Sequence, residues 1–121
     1  MTAPSGGESV SFGSVLTIEW RIDIPHNQDN WDLWYSTESR EGEWIEIAMD
    51  LDPGSLSFMS IHTYEWAVPD VLADNVWVRV RMDNPDFDYY DVSNGSFSIV
   101  PAPGSLTAFG LVSMIAVCRR R

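Results

Sequence analysis

Residues 16–24 constrain the fold more than any other part of this chain. Leu16, Ile18, Trp20, Ile22 and Ile24 fall on one side, and Thr17, Glu19, Arg21 and Asp23 fall on the other. That period of two belongs to a half-buried strand. A helix would scatter the five apolar residues around its cylinder. Their burial is expected to contribute on the order of 1.5–3 kcal/mol each before entropy is charged against it. Residues 31–36 repeat the pattern, with Trp31, Leu33 and Tyr35 alternating with Asp32, Trp34 and Ser36. Pro-His-Asn-Gln-Asp-Asn at 25–30 joins the two: proline ends the first strand, and Asn and Asp suit turn geometry.

Five further strands follow from the same reading. They centre on Val10 and Phe12, on residues 43–49, on 62–66, on 76–81, and on Phe97 and Ile99. Glycine-, proline- and asparagine-bearing turns separate them, including Asp-Pro-Gly at 52–54 and Ser-Asn-Gly at 93–95. No helical period occurs before residue 104. About seven short strands without a helix predict an all-β chain, an antiparallel β-sandwich of the fibronectin type III or immunoglobulin kind. The expected organisation is a flexible lead-in at 1–7, the β-sandwich at 8–99, a proline-rich linker at 100–104, and a terminal hydrophobic segment at 105–121. That segment is expected to form a short helix.

The chain of 121 residues has room for one domain and a real core, with 45% of its residues hydrophobic. Its charge is unevenly placed. Arg119, Arg120 and Arg121 supply three of the seven basic residues and no acidic residue lies beyond Asp91, so residues 1–100 hold four basic against 18 acidic groups, a balance of −14. Such a body repels phosphate backbones, which argues against nucleic-acid binding. It suits solubility, and it would also attract divalent cations or basic partners. The single cysteine, Cys118, excludes an internal disulfide.

Two prolines, Pro101 and Pro103, close the strand region. Residues 105–118 then run 14 positions without a charge, about 21 Å if helical at ~1.5 Å per residue, short of the roughly 30 Å of a bilayer core. Three arginines follow. This order, Pro-x-Pro, a short apolar run and an arginine cluster, resembles the PEP-CTERM sorting signal of bacterial exported proteins, with Ala102 where the family name has glutamate. The resemblance implies recognition by an exosortase-type membrane enzyme, membrane contact through the tail, and delivery to the cell surface or its extracellular polysaccharide. Arg119, Arg120 and Arg121 would then stay cytoplasmic. Cys118 reads as an apolar-tail residue or, alternatively, as an acylation site. The first twelve residues carry no secretory leader, so the resemblance carries the expectation that the natural reading frame begins upstream of Met1.

No nucleophile–histidine triad, phosphate loop or paired-cysteine metal pattern is present. The leading expectation is therefore a non-catalytic surface module. Residues 24–36, 62–70 and 78–81 also resemble bacterial polysaccharide monooxygenase-like β-sandwich proteins. That resemblance implies a copper ion held by a histidine brace, with His26 as its second histidine. The chain would then be a truncated form lacking the amino-terminal histidine, and inactive as written. Without copper, His26 reads as a loop histidine bonded to nearby backbone, and His62 as a strand-edge residue. Asp83, Asn84, Asp86, Asp88 and Asp91 read as solvated turn residues rather than a calcium loop. Trp34 and Trp77 face away from the core with Arg79 and Arg81. They form either a structural cation–π stack or a flat platform for polysaccharide.

Overall fold

The computed structural model describes residues 1–102. These form eight strands: β1 (Ser9–Ser11), β2 (Val15–Arg21), β3 (Asn30–Ser36), β4 (Ile45–Leu51), β5 (Ile61–Ala67), β6 (Ala73–Asp83), β7 (Tyr89–Val92) and β8 (Phe97–Val100). The chain is all-β over this span, and among the described residues no helix is long and apolar enough to cross a membrane. The expected terminal helix, with Pro103, Arg119, Arg120 and Arg121, lies outside the described residues. Pro101 directly follows β8, and the last ladder bond before it runs from the Phe12 amide to the Val100 carbonyl at 2.9 Å.

All seven expected strands are present, and one more joins them. β7 and β8 both pair with β6, β7 along residues 79–82 and β8 along residues 73–76. The Ser-Asn-Gly signal at 93–95 is therefore not a hairpin turn. It is an interruption in what is nearly one strand, and Ser93 stays within it. Its amide bonds the Val78 carbonyl at 2.9 Å, and its hydroxyl accepts from the Val78 amide at 3.2 Å.

The larger sheet runs β1-β8-β6-β3-β4 with β7 also on β6, and the smaller is β2-β5. The expectation of a wholly antiparallel arrangement is corrected at one place, because β1 lies parallel to β8. The reason is a change of sheet near the start of the chain. Thr2 and Ala3, within the expected lead-in, bond to Glu19 of β2, antiparallel to it. Beyond the fully buried Pro4 the chain crosses to the large sheet and runs beside β8.

The two sheets close on one apolar cluster. Ile18, Trp20 and Trp66 from the small sheet meet Leu33, Tyr35, Val76, Val78, Val80, Phe97 and Ile99 from the large one. Trp66 spans the layers, with its ring centroid 5.0 Å from that of Tyr35 and 6.4 Å, edge-on, from that of Phe97. Trp20 and Trp31 meet edge to face at 5.4 Å. A second correction falls at Ile24. β2 stops at Arg21, Ile22 remains buried, and Ile24 turns outward, 67% exposed. The backbone already bends at Asp23 and Ile24, ahead of Pro25 and of Asn27 at φ 56°, so the inward alternation ends at Ile22.

The strand pairings give the molecule two unlike ends. Loops 22–29, 52–60 and 84–88 gather at the end where Asn30 of β3 pairs Asp83 of β6. The chain leaves β8 at the opposite end, where Ile99 pairs Ala73.

Candidate functional site

The outer face of the large sheet is an aromatic–arginine stack. Because Trp34 pairs Arg79 in register, and neither faces the core, ring and guanidinium stand side by side on that face. The Arg79 guanidinium carbon lies 4.3 Å from the Trp34 ring centre, 4.7 Å from that of Trp44 and 4.9 Å from that of Tyr90. Arg81 lies 5.1 Å from the Trp34 ring centre, and Arg40 lies 5.4 Å from that of Trp77. The cation–π contact expected at Trp34 is present, with Arg79 and Arg81, whereas Trp77 meets Arg40 rather than either of them.

Asp32 anchors this face. Although it sits at an outward position of β3, it is fully buried. Its Oδ2 accepts from Arg81 Nε at 2.8 Å and Nη2 at 2.6 Å, while its Oδ1 accepts the Asp50 amide at 2.7 Å. A register shift against β4, between Trp31 and Leu33, releases that amide from the ladder, and Asp50 takes φ 57°. Burial works against the charge on Arg81, but the Tyr90 hydroxyl and the Asp32 carboxylate outweigh it and raise its pKa. On Arg79, burial prevails and lowers it. Sequence reading missed Asp32, since an acidic residue in an alternating strand looks solvated. The outward-facing Arg81, on a strand expected to neighbour this one, was the available signal.

The second assembly lies at the loop end. Gln28, 3% exposed, donates from Nε2 to the carbonyls of Pro53 at 3.0 Å and Ser55 at 3.1 Å, and Trp31 Nε1 donates to Pro53 at 3.0 Å. These bonds tie loop 22–29 to loop 52–60. The third loop is shaped by Asn84, whose Oδ1 accepts the Asp86 and Phe87 amides at 3.2 and 3.0 Å. Between loop 22–29 and β7 opens a cavity of about 330 Å³, with Trp20, Trp31 and Met82 in its lining beside Arg21, Asp23, His26, Tyr89, Tyr90 and Asp91. His26 stacks on Tyr89 with centroids 4.2 Å apart and planes at 18°.

His62 sits apart from His26, in a second cavity of about 290 Å³ that shares the Trp20 and Trp31 rings. Its imidazole lies 5.0 Å from the Trp31 ring centre and 6.0 Å from that of Trp20, with a 3.2 Å hydrogen bond to Ser60 Oγ. Gly54, at φ +62°, admits this ring, since a Cβ there would stand 3.1 Å from the imidazole. Burial lowers the His62 pKa, partly offset by a hydrogen bond with the Ser55 backbone.

A copper brace needs three nitrogen ligands converging on one point. The chain has two histidines, they line separate cavities, and no three His, Cys, Asp or Glu side chains among the described residues form a metal-holding group. The residues described here do not fit copper. The aspartates of loop 84–88 and its flanks do not converge on a cation either, and Asp88 instead hydrogen-bonds Asp83, which together with slight burial and the neighbouring negative charge raises its pKa. No family model, no curated protein and no solved structure matches this chain.

Proposed function

We propose that this chain is a non-catalytic bacterial module of the cell surface or extracellular matrix, built as a fibronectin type III or immunoglobulin-like β-sandwich and sorted by its tail. The order β4-β3-β6 with β7 and β8, set against β2-β5, supports the sandwich reading, because it is the two-layer arrangement of such domains. The observation that carries the functional reading is the polarity of the fold. The chain leaves at the end opposite the aromatic cavity, so a tail held by a membrane or a sorting enzyme would present that cavity outward.

In this reading Pro101, Pro103, the apolar run and Arg119, Arg120 and Arg121 form a PEP-CTERM-like signal for an exosortase-type enzyme. The protein is exported to the cell surface or extracellular polysaccharide, with the membrane contacted through the tail. The acidic body argues against nucleic acid as a partner.

The test is expression of the full reading frame in a bacterium that carries an exosortase, with surface exposure measured by protease shaving of intact cells. Replacement of all three terminal arginines by serine is expected to abolish surface exposure. Equal exposure of both forms would overturn the sorting assignment.

A further inference from the structure

We propose that the free edge of β5 accepts an added strand: an extended, non-acidic segment of a partner protein, apolar at alternate positions, pairs along Ile61–Ala67 and covers the inner face of β4. This goes beyond the module reading above and does not depend on how the chain is sorted.

Backbone bonding fixes which groups are on offer. The β2–β5 ladder is bounded by bonds from the Ile22 amide to the Ser60 carbonyl at 3.0 Å and from the Val68 amide to the Ser14 carbonyl at 2.9 Å. Between them the register is unbroken, so the even-numbered residues of β5 bond β2 and the odd-numbered ones turn away from it. Glu19, opposite Thr63, shows the same phase, because it exchanges bonds with Ala3 on the far edge of β2. Ile61, Thr63, Glu65 and Ala67 therefore present their amides and carbonyls to the open side. Among the described residues no group bonds them there.

The other sheet borders are each defended. β4 carries two register shifts and Asp50 at φ 57°, β1 and β7 are three and four residues long, and β2 is flanked by Thr2 and Ala3. Bulges and short edge strands are ordinary obstacles to pairing. β5 has neither. It runs seven residues, about 23 Å at ~3.3 Å per residue, without proline, bulge or basic residue. The carboxylate of Glu65 accepts from the Thr17 hydroxyl at 2.8 Å.

The large sheet supplies a second observation, because it extends past β5. Ile45 pairs Tyr35 and so faces the core side, yet it is 47% exposed. Ile47, Leu51 and Tyr64 pack against the core and are still only partly buried, whereas the inward positions one strand further in, at Leu33 and Ile18, are fully buried. The cavity of about 290 Å³ beside His62 lies on this flank, walled by Leu51 and Asp52 from one sheet and by His62, Thr63 and Tyr64 from the other. A strand beside β5 would lie above β4 and remove this apolar shelf from water.

The overhang also selects the occupant. A second copy offering its own β5 would bring its β4 against this one before the two edges came within the ~4.8 Å of paired strands. Both bodies would also carry the same surplus, four basic against 18 acidic groups over residues 1–100. A lone extended segment meets neither obstacle. Its side chains over β4 have to be apolar, and those beside Glu65 have to be other than acidic.

The test uses the full chain, ¹⁵N-labelled and held in detergent micelles, titrated with two isomers of acetyl-Thr-Val-Thr-Val-Thr-Val-Thr-amide. One is N-methylated at the three valines, the other at the last three threonines. In a strand laid along β5 with its valines over β4, the threonine amides point at β5 and the valine amides point away. The valine-methylated isomer is therefore expected to bind, moving the Ile61, Thr63, Glu65 and Ala67 amide signals and slowing their hydrogen exchange about tenfold or more. The threonine-methylated isomer, equal in mass and apolarity, is expected to bind about tenfold more weakly or worse. Thr63→Pro gives up no bond to β2 and should weaken binding of the first isomer to the same degree, with the His62 and Trp66 amides still protected. If that variant fails to fold, the two isomers on the parent chain still decide. Equal response to both would overturn the proposal in favour of apolar adsorption, since micelle partition does not distinguish them. Protection of the same four amides that rises with protein concentration, without peptide, would overturn it in favour of a second copy. No change at these amides with either isomer would overturn it outright.

Discussion

Trp31 and Trp34 are three residues apart on one strand and belong to different worlds. Trp34 faces outward and is clasped by Arg79 and Arg81, within a face where Asp32 in turn holds Arg81. Trp31 faces inward at the strand's beginning, meets Trp20 and His62, and borders open volume on two sides. The difference separates aromatic rings packed against guanidinium groups from rings packed against one another and against histidine. On the outer face the aromatic groups stabilise the sheet, and at the loop end they line a groove. A tryptophan count alone treats both alike.

The largest effect expected from this contrast is at Asp32. Asp32→Ala leaves the partly buried Arg81 without its carboxylate and the Asp50 amide without an acceptor. About 3 kcal/mol of unfolding free energy should be lost, the lower end for a broken buried pair because Arg81 keeps some contact with water. Urea denaturation measures it, and a loss under about 1 kcal/mol would mean that the outer face is decoration rather than framework. Next comes Arg79→Ala, which strips the cation from Trp34, Trp44 and Tyr90 together and should cost about 1–2 kcal/mol. Arg79→Lys should recover only part of that, since an ammonium cannot stack as a planar guanidinium does.

Much of this face was legible in the sequence. Trp34 and Trp77 alternate out of phase with the core residues, and so do Arg79 and Arg81, which is enough to place all four outside and to suggest the stacking seen at Trp34, though not the Arg40 that meets Trp77. The seven strands were legible for the same reason, because alternation reports a buried face directly. β7 was not, since Tyr89, Tyr90 and Asp91 show no alternation and their pairing is imposed by β6. The groove was legible only in fragments. His26 drew attention as a rare residue, but its partner Tyr89 lies 63 positions away in a strand the pattern did not reveal. The cavity is made by what loop 22–29 and strands β2, β3, β6 and β7 leave unfilled, and periodicity along one segment carries no such information.

The loop end should be tolerant where the sheet face is not. Tyr89→Ala removes a residue that is 42% exposed and is expected to change stability by no more than about 1 kcal/mol. A stability loss as large as that of Asp32→Ala would erase the distinction between the two regions.

His62 gives the loop end a pH signature. Its pKa is lowered by burial among the indoles, so the folded state binds fewer protons than the unfolded one as the medium becomes acidic. Its contribution is fully present above the ordinary histidine value of about 6.5 and is lost as pH falls through the lower, folded-state value. His62→Asn should flatten that part of the stability profile, and a slope unchanged by the substitution would place its origin elsewhere.

The smallest effect is at Asp88, and its sign is opposite. Hydrogen bonding to Asp83, slight burial and the neighbouring negative charge raise its pKa, with Arg81 opposing, so the folded state holds this proton more tightly than the unfolded chain does. The pair therefore weakens the fold as pH rises through the carboxylate range, and the penalty persists at neutral pH. Asp88→Asn can still donate to Asp83 while removing one of the two like charges. A slight rise in the urea midpoint at pH 7 is expected, vanishing near the lower end of the carboxylate range. No rise would show that solvent already screens the pair. A fall would show that the weak 4.0 Å approach of Asp88 to Arg81 counts for more than the repulsion, tying this turn to the outer face rather than to the groove.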